Sequence, residues 1–135
     1  MNTYKNIPVN YDELSILVTE DDELSFLYIN IILKTIFKHI VRAKTGQETL
    51  QLIKNKHFDI LLLDVNLPDI SGIEVARSIH KTHPELGIIM NSAFSLEEDR
   101  EDAMKKANFE YLTKPLKKNN IIAAIEKVLK TQANN

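Results

Sequence analysis

Five strand-like runs alternating with helix-like segments predict an α/β fold built on a mostly parallel sheet. Three observations carry this. Short apolar runs recur along the chain, segments with helical spacing separate them, and the run Ile60-Leu61-Leu62-Leu63 ends on Asp64 followed at once by the turn cluster Pro68-Asp69-Ile70-Ser71-Gly72. An unbroken apolar run between turn signals suits a strand covered on both faces, as parallel sheets require. In open α/β sheets ligands gather at the carboxyl ends of the strands, so Asp64 stands at an expected site.

Taken in order, residues 1–13 are polar, carry Pro8 and show no clear period; they read as an N-terminal arm. Leu14–Val18 is the first strand, and Thr19-Glu20-Asp21-Asp22-Glu23 follows as an acidic turn. Leu24, Leu27, Tyr28 and Ile31 recur at helical spacing in a helix extending to about Phe37. The acids before it suit its N-terminal dipole. Ile40–Ala43 is the second strand, and Gly46 opens a helix with Leu50 and Ile53 on its apolar side.

After the central strand, Ser71 and Glu74 have capping-box spacing at the head of a helix through Ile73, Ala76 and Ile79, which Pro84 ends. Gly87–Ala93 is the fourth strand. Ser95 and Glu98 repeat the capping spacing, and the helix they open has acids first and Lys105 and Lys106 last. Phe109–Thr113 is the fifth strand, and Asn119 or Asn120 caps a last helix bearing Ile122, Ile125 and Leu129. The folded unit spans residues 14–131, with 132–135 as a tail.

Composition narrows the function classes. The 135 residues fit one domain, and 44% hydrophobic residues supply a core. A net charge of −2 argues against a surface adapted as a whole to nucleic acid or anionic membranes. Without cysteine there is no disulfide, thiol nucleophile or thiolate metal site. No apolar run spans a bilayer and the first residues lack a signal-peptide core, so a cytoplasmic location is expected. His80 and His83 have a His-x-x-His spacing, but they fall at a helix end against Pro84, which favours a surface reading over metal binding.

The strand ends carry the chemistry. Glu20 and Asp21 follow the first strand, Asp64 ends the third, Ser92 ends the fourth and Lys114 follows the fifth. Parallel strands bring these to one edge. Clustered carboxylates repel unless neutralised. One or two of them with water and phosphate oxygens is the usual Mg²⁺ arrangement. A lysine and a hydroxyl beside them complete a phosphoryl receptor. Taken singly, each residue has a plainer reading: Asp64 as a turn cap with Asp69 and Ser71, Asp22 and Glu23 as a solvated helix start, Lys114 as a surface lysine, Tyr111 as sheet packing.

The segments ILVTEDDE, LLLDVNLPDISG, IIMNSA and YLTKPL, in that order and spacing, resemble the receiver domain of two-component response regulators, over roughly Ser15 to Leu129. The resemblance implies a flavodoxin-like, doubly wound sheet of five parallel strands in the order 2-1-3-4-5 with five helices. It makes Asp64 the phosphoacceptor. Asp21 and Asp64 are the expected direct Mg²⁺ ligands, with Glu20 acting through water and Asn66 through its backbone carbonyl. Ser92 and Lys114 then bind phosphoryl oxygens, Ser92 and Tyr111 form the switch, and Pro115 sits where the family usually has a cis peptide.

The implied donor is a histidine kinase or histidine phosphotransfer protein. The implied output is a changed surface on the last two helices and fifth strand for an unidentified protein partner, with no direct nucleic-acid or membrane contact. Self-phosphorylation and slow autodephosphorylation would be its only reactions. Phosphorylation-dependent homodimerisation is left open, as is whether the chain is free-standing, which the Met1 start favours, or excised from a hybrid kinase. A phosphorylation-independent interaction module and a Mg²⁺-dependent phosphohydrolase are the competing readings. The hydrolase calls for a second acid at position 66, where Asn66 stands. Two departures from the family pattern are Ala107-Asn108 in place of Gly-Ala and the bulky Phe94, expected to obstruct the hydrolytic water.

Overall fold

The computed structural model describes residues 3–4, 7–8, 10–93 and 109–134. Strands β1 (Ser15–Thr19), β2 (His39–Ala43), β3 (Ile60–Asp64), β4 (Gly87–Ser92) and β5 (Phe109–Thr113) form one parallel sheet in the order β2-β1-β3-β4-β5, as expected. Four α-helices are described: α1 (Glu23–Leu33), α2 (Gly46–Asn55), α3 (Gly72–Thr82) and α4 (Lys118–Asn134). The helix expected after Ser95, the Ala107-Asn108 departure and Phe94 all lie outside the described residues. No helix among the described residues is long and apolar enough to cross a membrane.

Why β3 reads as an apolar run follows from its two covered faces. Leu61 and Leu63 join Leu17, Ile88 and Met90 in a core with Ile53, Val75, Ala76 and Ile79 of α2 and α3. Ile60 and Leu62 join Ile16, Val18 and Ile89 in a second core with Ile29, Leu33, Ile121, Ile125 and Val128 of α1 and α4. Every β3 residue is buried, and full burial of a leucine side chain contributes about 2 kcal/mol. The strand bearing Asp64 is therefore firmly held, as is its neighbour β4, also buried at every residue.

Helix α1 differs from expectation in both its face and its end. Leu24, Leu27, Tyr28 and Ile31 are 77%, 54%, 48% and 61% exposed, while Ile29 and Leu33 are buried. The sequence ELSFLYINIIL is apolar on nearly every side, so periodicity could not choose the sheet-facing stripe. The helix stops at Leu33, short of Phe37. There the Thr35 and Ile36 N–H groups reach back only three residues, to Ile32 and Leu33, and the Thr35 hydroxyl also donates to Ile32.

Smaller corrections apply to the other caps. The Ser71 hydroxyl accepts from the Ile73 N–H at 3.2 Å, one residue short of the Glu74 N–H that a capping box uses, and Glu74 pairs with Arg77 at 2.7 Å, so Ser71 caps the helix without the reciprocal box. Helix α4 begins at Lys118, placing Asn119 and Asn120 inside its first turn, and it buries Ile121 more completely than Ile122. The arm read as featureless contains a short antiparallel pairing of Thr3–Tyr4 with Ile7–Pro8 and a 3-10 turn at Tyr11–Glu13. Tyr11 meets Phe37 edge-on at 5.7 Å between ring centres.

Gly72 fixes how closely α3 approaches the site strand. Its N–H donates to the Val65 carbonyl at 2.8 Å, and a methyl group placed on it would lie 2.7 Å from Val65 Cα and closer still to the Asp64 carbonyl oxygen. Backbone cannot yield as a flexible side chain can. Gly72→Ala is therefore expected to cost about 3 kcal/mol, read as a lowered urea midpoint. A midpoint equal to wild type would refute this close packing.

Candidate functional site

Strand register assembles the site. Val18 pairs with Leu62 and Asn91 with Leu112, so two residues further on Glu20, Asp64 and Lys114 continue the α1/α4 side of the sheet. The Glu20 side chain is only 1% exposed, Asp64 is buried, and Asp21 is exposed. Glu20, Asp21 and Asp64 each offer a carboxylate oxygen within 4.8 Å of the others. Among the described residues this is the one group of three metal-ligating side chains so placed. Lys114 Nζ lies 3.1 Å from Glu20 Oε1 and 3.2 Å from Asp64 Oδ2.

The turn that follows each strand aims these groups. Glu20 Oε2 accepts the Asp22 N–H at 3.2 Å, and Asp22 caps α1 by accepting from the Ser25 N–H at 2.8 Å. Asp64 Oδ1 accepts the Asn66 N–H at 3.0 Å, which bends the chain away from the strand. Asn66 and Asp21 then line one open cleft with the 65–71 loop. Asp69 and Ser71 cap helices and leave Asp64 alone. Asp69 crosses to α2, accepting the Gly46 and Gln47 N–H groups at 2.9 Å each, and these bonds hold its carboxyl below the usual aspartate range.

Charge at the site is unevenly balanced. Burial first, and then the Asp64 carboxylate, push the Glu20 carboxyl above its ordinary range. Burial works against the Lys114 ammonium, yet Asp64 and Glu20 outweigh it and hold its pKa above the ordinary lysine value. Three carboxylates face one ammonium, an excess of negative charge carried on oxygen alone. Such a donor set fits a hard divalent cation and would be a poor match for soft metals.

Of the remaining expected residues, Ser92, Tyr111 and Pro115 are described, in or just beyond β4 and β5. Ser92 is buried at the end of β4, and its carbonyl accepts the Lys114 N–H at 2.7 Å. Tyr111 lies half-buried against the α2/α3 core, on the same sheet face as Ser92 by strand alternation. The Lys114–Pro115 peptide bond is cis. Phe94 lies outside the described residues. His80 and His83 do not converge: His80 stacks edge-on against Phe109 at 5.3 Å, and His83 Nδ1 lies 2.8 Å from the Thr82 hydroxyl.

Three residues that sequence reasoning gave no part in the site shape its border: Tyr28, Asp69 and Arg42. The Tyr28 hydroxyl donates to the Leu116 carbonyl at 2.6 Å, joining α1 to the loop that carries Lys114. Leu24, Tyr28 and Ile29 form with Lys114, Pro115 and Leu116 an apolar cleft of about 450 Å³. The one available signal was α1 itself, too apolar all round to be covered by a single sheet face.

Comparison with known proteins agrees with this geometry. Transcriptional regulatory protein ZraR of Escherichia coli is 28% identical over 121 residues, covering 90% of this chain and 27% of that protein. Cell cycle response regulator CtrA of Brucella abortus is 32% identical over 117 residues, covering 87% of this chain and 50% of that protein. The chain thus spans between about a quarter and a half of these relatives. A CheY-like receiver domain protein from Methanospirillum hungatei superposes with a TM-score of 0.81 at 26% identity, covering 91% of this chain and all of that one. The BeF3-activated DrrB receiver domain superposes with a TM-score of 0.75 at 27% identity, covering 87% of this chain and 97% of that one. The sequence profile of the response regulator receiver domain matches residues 16–126, most of the chain and all of the sheet but its first residue, and with it the chain belongs to the response regulator receiver family.

Proposed function

We propose that this receiver domain is a phosphorylation switch in which Asp64 accepts a phosphoryl group from a phosphohistidine of a histidine kinase or histidine phosphotransfer protein. The observation that carries the reading is Lys114 reaching both Glu20 and Asp64 beside Asp21. An Asp64 carboxylate oxygen attacks phosphorus, the bond from phosphorus to the imidazole nitrogen breaks, and the imidazole leaves to be protonated by solvent. The product is an acyl phosphate on Asp64.

Lys114 pairs with an equatorial oxygen of the transferring group, and the Asn66 N–H keeps Asp64 aimed outward. Asp21 and Asp64 would hold Mg²⁺ directly, Glu20 through water and Asn66 through its carbonyl; when bound, the ion supplies further neutralisation of the phosphoryl oxygens. Ser92 donates to the new phosphoryl group. The space it vacates admits the Tyr111 ring, biasing the β5 and α4 surface toward a downstream protein. Phosphohistidine formed from ATP places this exchange in the cytoplasm.

The exposed stripe of Leu24, Leu27, Tyr28 and Ile31 supports a protein donor, because it continues from the Lys114–Leu116 cleft at the edge of the site. Intact mass after incubation with a small acyl phosphate tests the reading: one phosphoryl adduct with Mg²⁺ and none after chelation. Leu27→Asp/Ile31→Asp is expected to leave that reaction unchanged while slowing transfer from a phosphohistidine protein at least about tenfold. Equal slowing with both donors would assign the stripe to folding. No adduct from either donor would remove the switch reading.

A further inference from the structure

We infer that Arg42 is a positioning residue for the cation site, holding the loop that aims Asp21; this rests on the cation reading above. Arg42 stands near the end of β2 with its side chain only 15% exposed. Its Nε and Nη2 both donate to the Glu20 carbonyl, at 3.1 and 2.9 Å. Its Nη1 reaches both Glu23 carboxylate oxygens, at 3.1 and 3.0 Å, and its Cζ lies 4.4 Å from the centre of the Phe26 ring. The next residue, Ala43, accepts the Glu20 N–H at 3.0 Å.

Both peptide groups of Glu20 are therefore tied to β2, one through backbone and one through the guanidinium. The carbonyl that Arg42 grips belongs to the peptide bond leading into Asp21. Asp21 is exposed, and the place from which its carboxylate can reach the site is set by how that peptide is held. Four consecutive acids repel one another, and a loop left to itself would open outward. A planar five-donor fork stacked on an aromatic ring can fix such a peptide in direction as well as distance, which an ammonium cannot.

Charge and geometry make opposite predictions here. As a mere positive charge near the carboxylates, Arg42 would weaken binding of a divalent cation, and its removal would tighten it. As a positioning group it would strengthen binding, and its removal would loosen it. Substitution of groups that orient metal ligands typically lowers affinity 10–100-fold.

The test is a Mn²⁺ titration of the full, unphosphorylated chain followed by electron paramagnetic resonance, with Mg²⁺ competition. Arg42→Met keeps contact with Phe26 and removes the fork; Arg42→Lys keeps the charge. We expect Mg²⁺ affinity to fall about tenfold in Arg42→Met and by a smaller factor in Arg42→Lys. Thermal midpoints in chelator establish that each variant is folded, and Arg42→Lys decides the matter if Arg42→Met is not. An unchanged or improved affinity in the folded variants overturns the positioning role alone. Wild type that binds neither ion at millimolar concentration overturns the cation reading together with it.

Discussion

Asp64→Asn is expected to abolish the phosphoryl adduct completely, with either a small acyl phosphate or a phosphohistidine protein as donor. Asp64 is the carboxylate poised between two aiming groups: Oδ1 accepts the Asn66 N–H at 3.0 Å and Oδ2 lies 3.2 Å from Lys114 Nζ. Glu20 has one oxygen on Lys114 and the other on the Asp22 N–H, and its side chain is enclosed, so no incoming phosphorus reaches it in line. Asp21 is exposed in the turn after β1, not on a strand, and Lys114 Nζ reaches Glu20 and Asp64.

Asparagine keeps the shape and can still accept the Asn66 N–H. It also removes the charge that helps push the Glu20 carboxyl up. The unfolding free energy in urea should therefore stay within about 1 kcal/mol of wild type, which separates lost chemistry from lost folding. An adduct persisting in the variant would transfer the acceptor role to another residue. Continuous release of phosphate by wild type at enzyme-like rates, without an accumulating adduct, would favour the hydrolase reading instead.

How much of this was legible in the chain depends on how local each cause is. A strand buried on both faces leaves its mark on itself, so Ile60–Asp64 and the strand-end residues Glu20, Ser92 and Lys114 could be placed from order alone. Ser71 capping α3 is similarly local. Asp69 is different: the helix it caps starts 23 residues earlier, and no spacing rule links Asp69 to Gly46. Arg42 acts across the β1–β2 pairing, and a single arginine in HIVRA carries no sign of its acceptors. In α1 the apolar signal was too strong to be directional; the sheet takes Ile29 and Leu33, and the residues with the clearer period face outward. What tertiary packing decides after the elements form is what sequence periodicity cannot report.

Lys114→Met should damage both chemistry and stability, in a pattern that identifies the lysine as the shared counter-charge of two acids. Removing one preorganised donor to a transferring group typically costs 10²–10³ in rate, and the adduct from an acyl phosphate should form more slowly by about that factor. In the resting protein, loss of the ammonium leaves Glu20 and Asp64 facing each other in a nearly closed site. Breaking a fully buried ion pair costs about 3–5 kcal/mol; with Lys114 itself 25% exposed, about 2 kcal/mol is expected near pH 7.

The sign of the pH dependence follows from Glu20. Its carboxyl already sits above the ordinary value of 4.5, and removing Lys114 raises it further. A folded state that holds its proton to higher pH is favoured by acid: the benefit is full below the unfolded value and disappears as pH rises through the folded one. The deficit of Lys114→Met in urea denaturation should therefore be small near about pH 5 and grow toward neutrality. Millimolar Mg²⁺ should recover part of it at neutral pH by replacing the missing positive charge. A deficit of equal size at both pH values and indifferent to Mg²⁺ would mean that Lys114 supports the fold through the packing of its stem, and that the carboxylates have another source of balance.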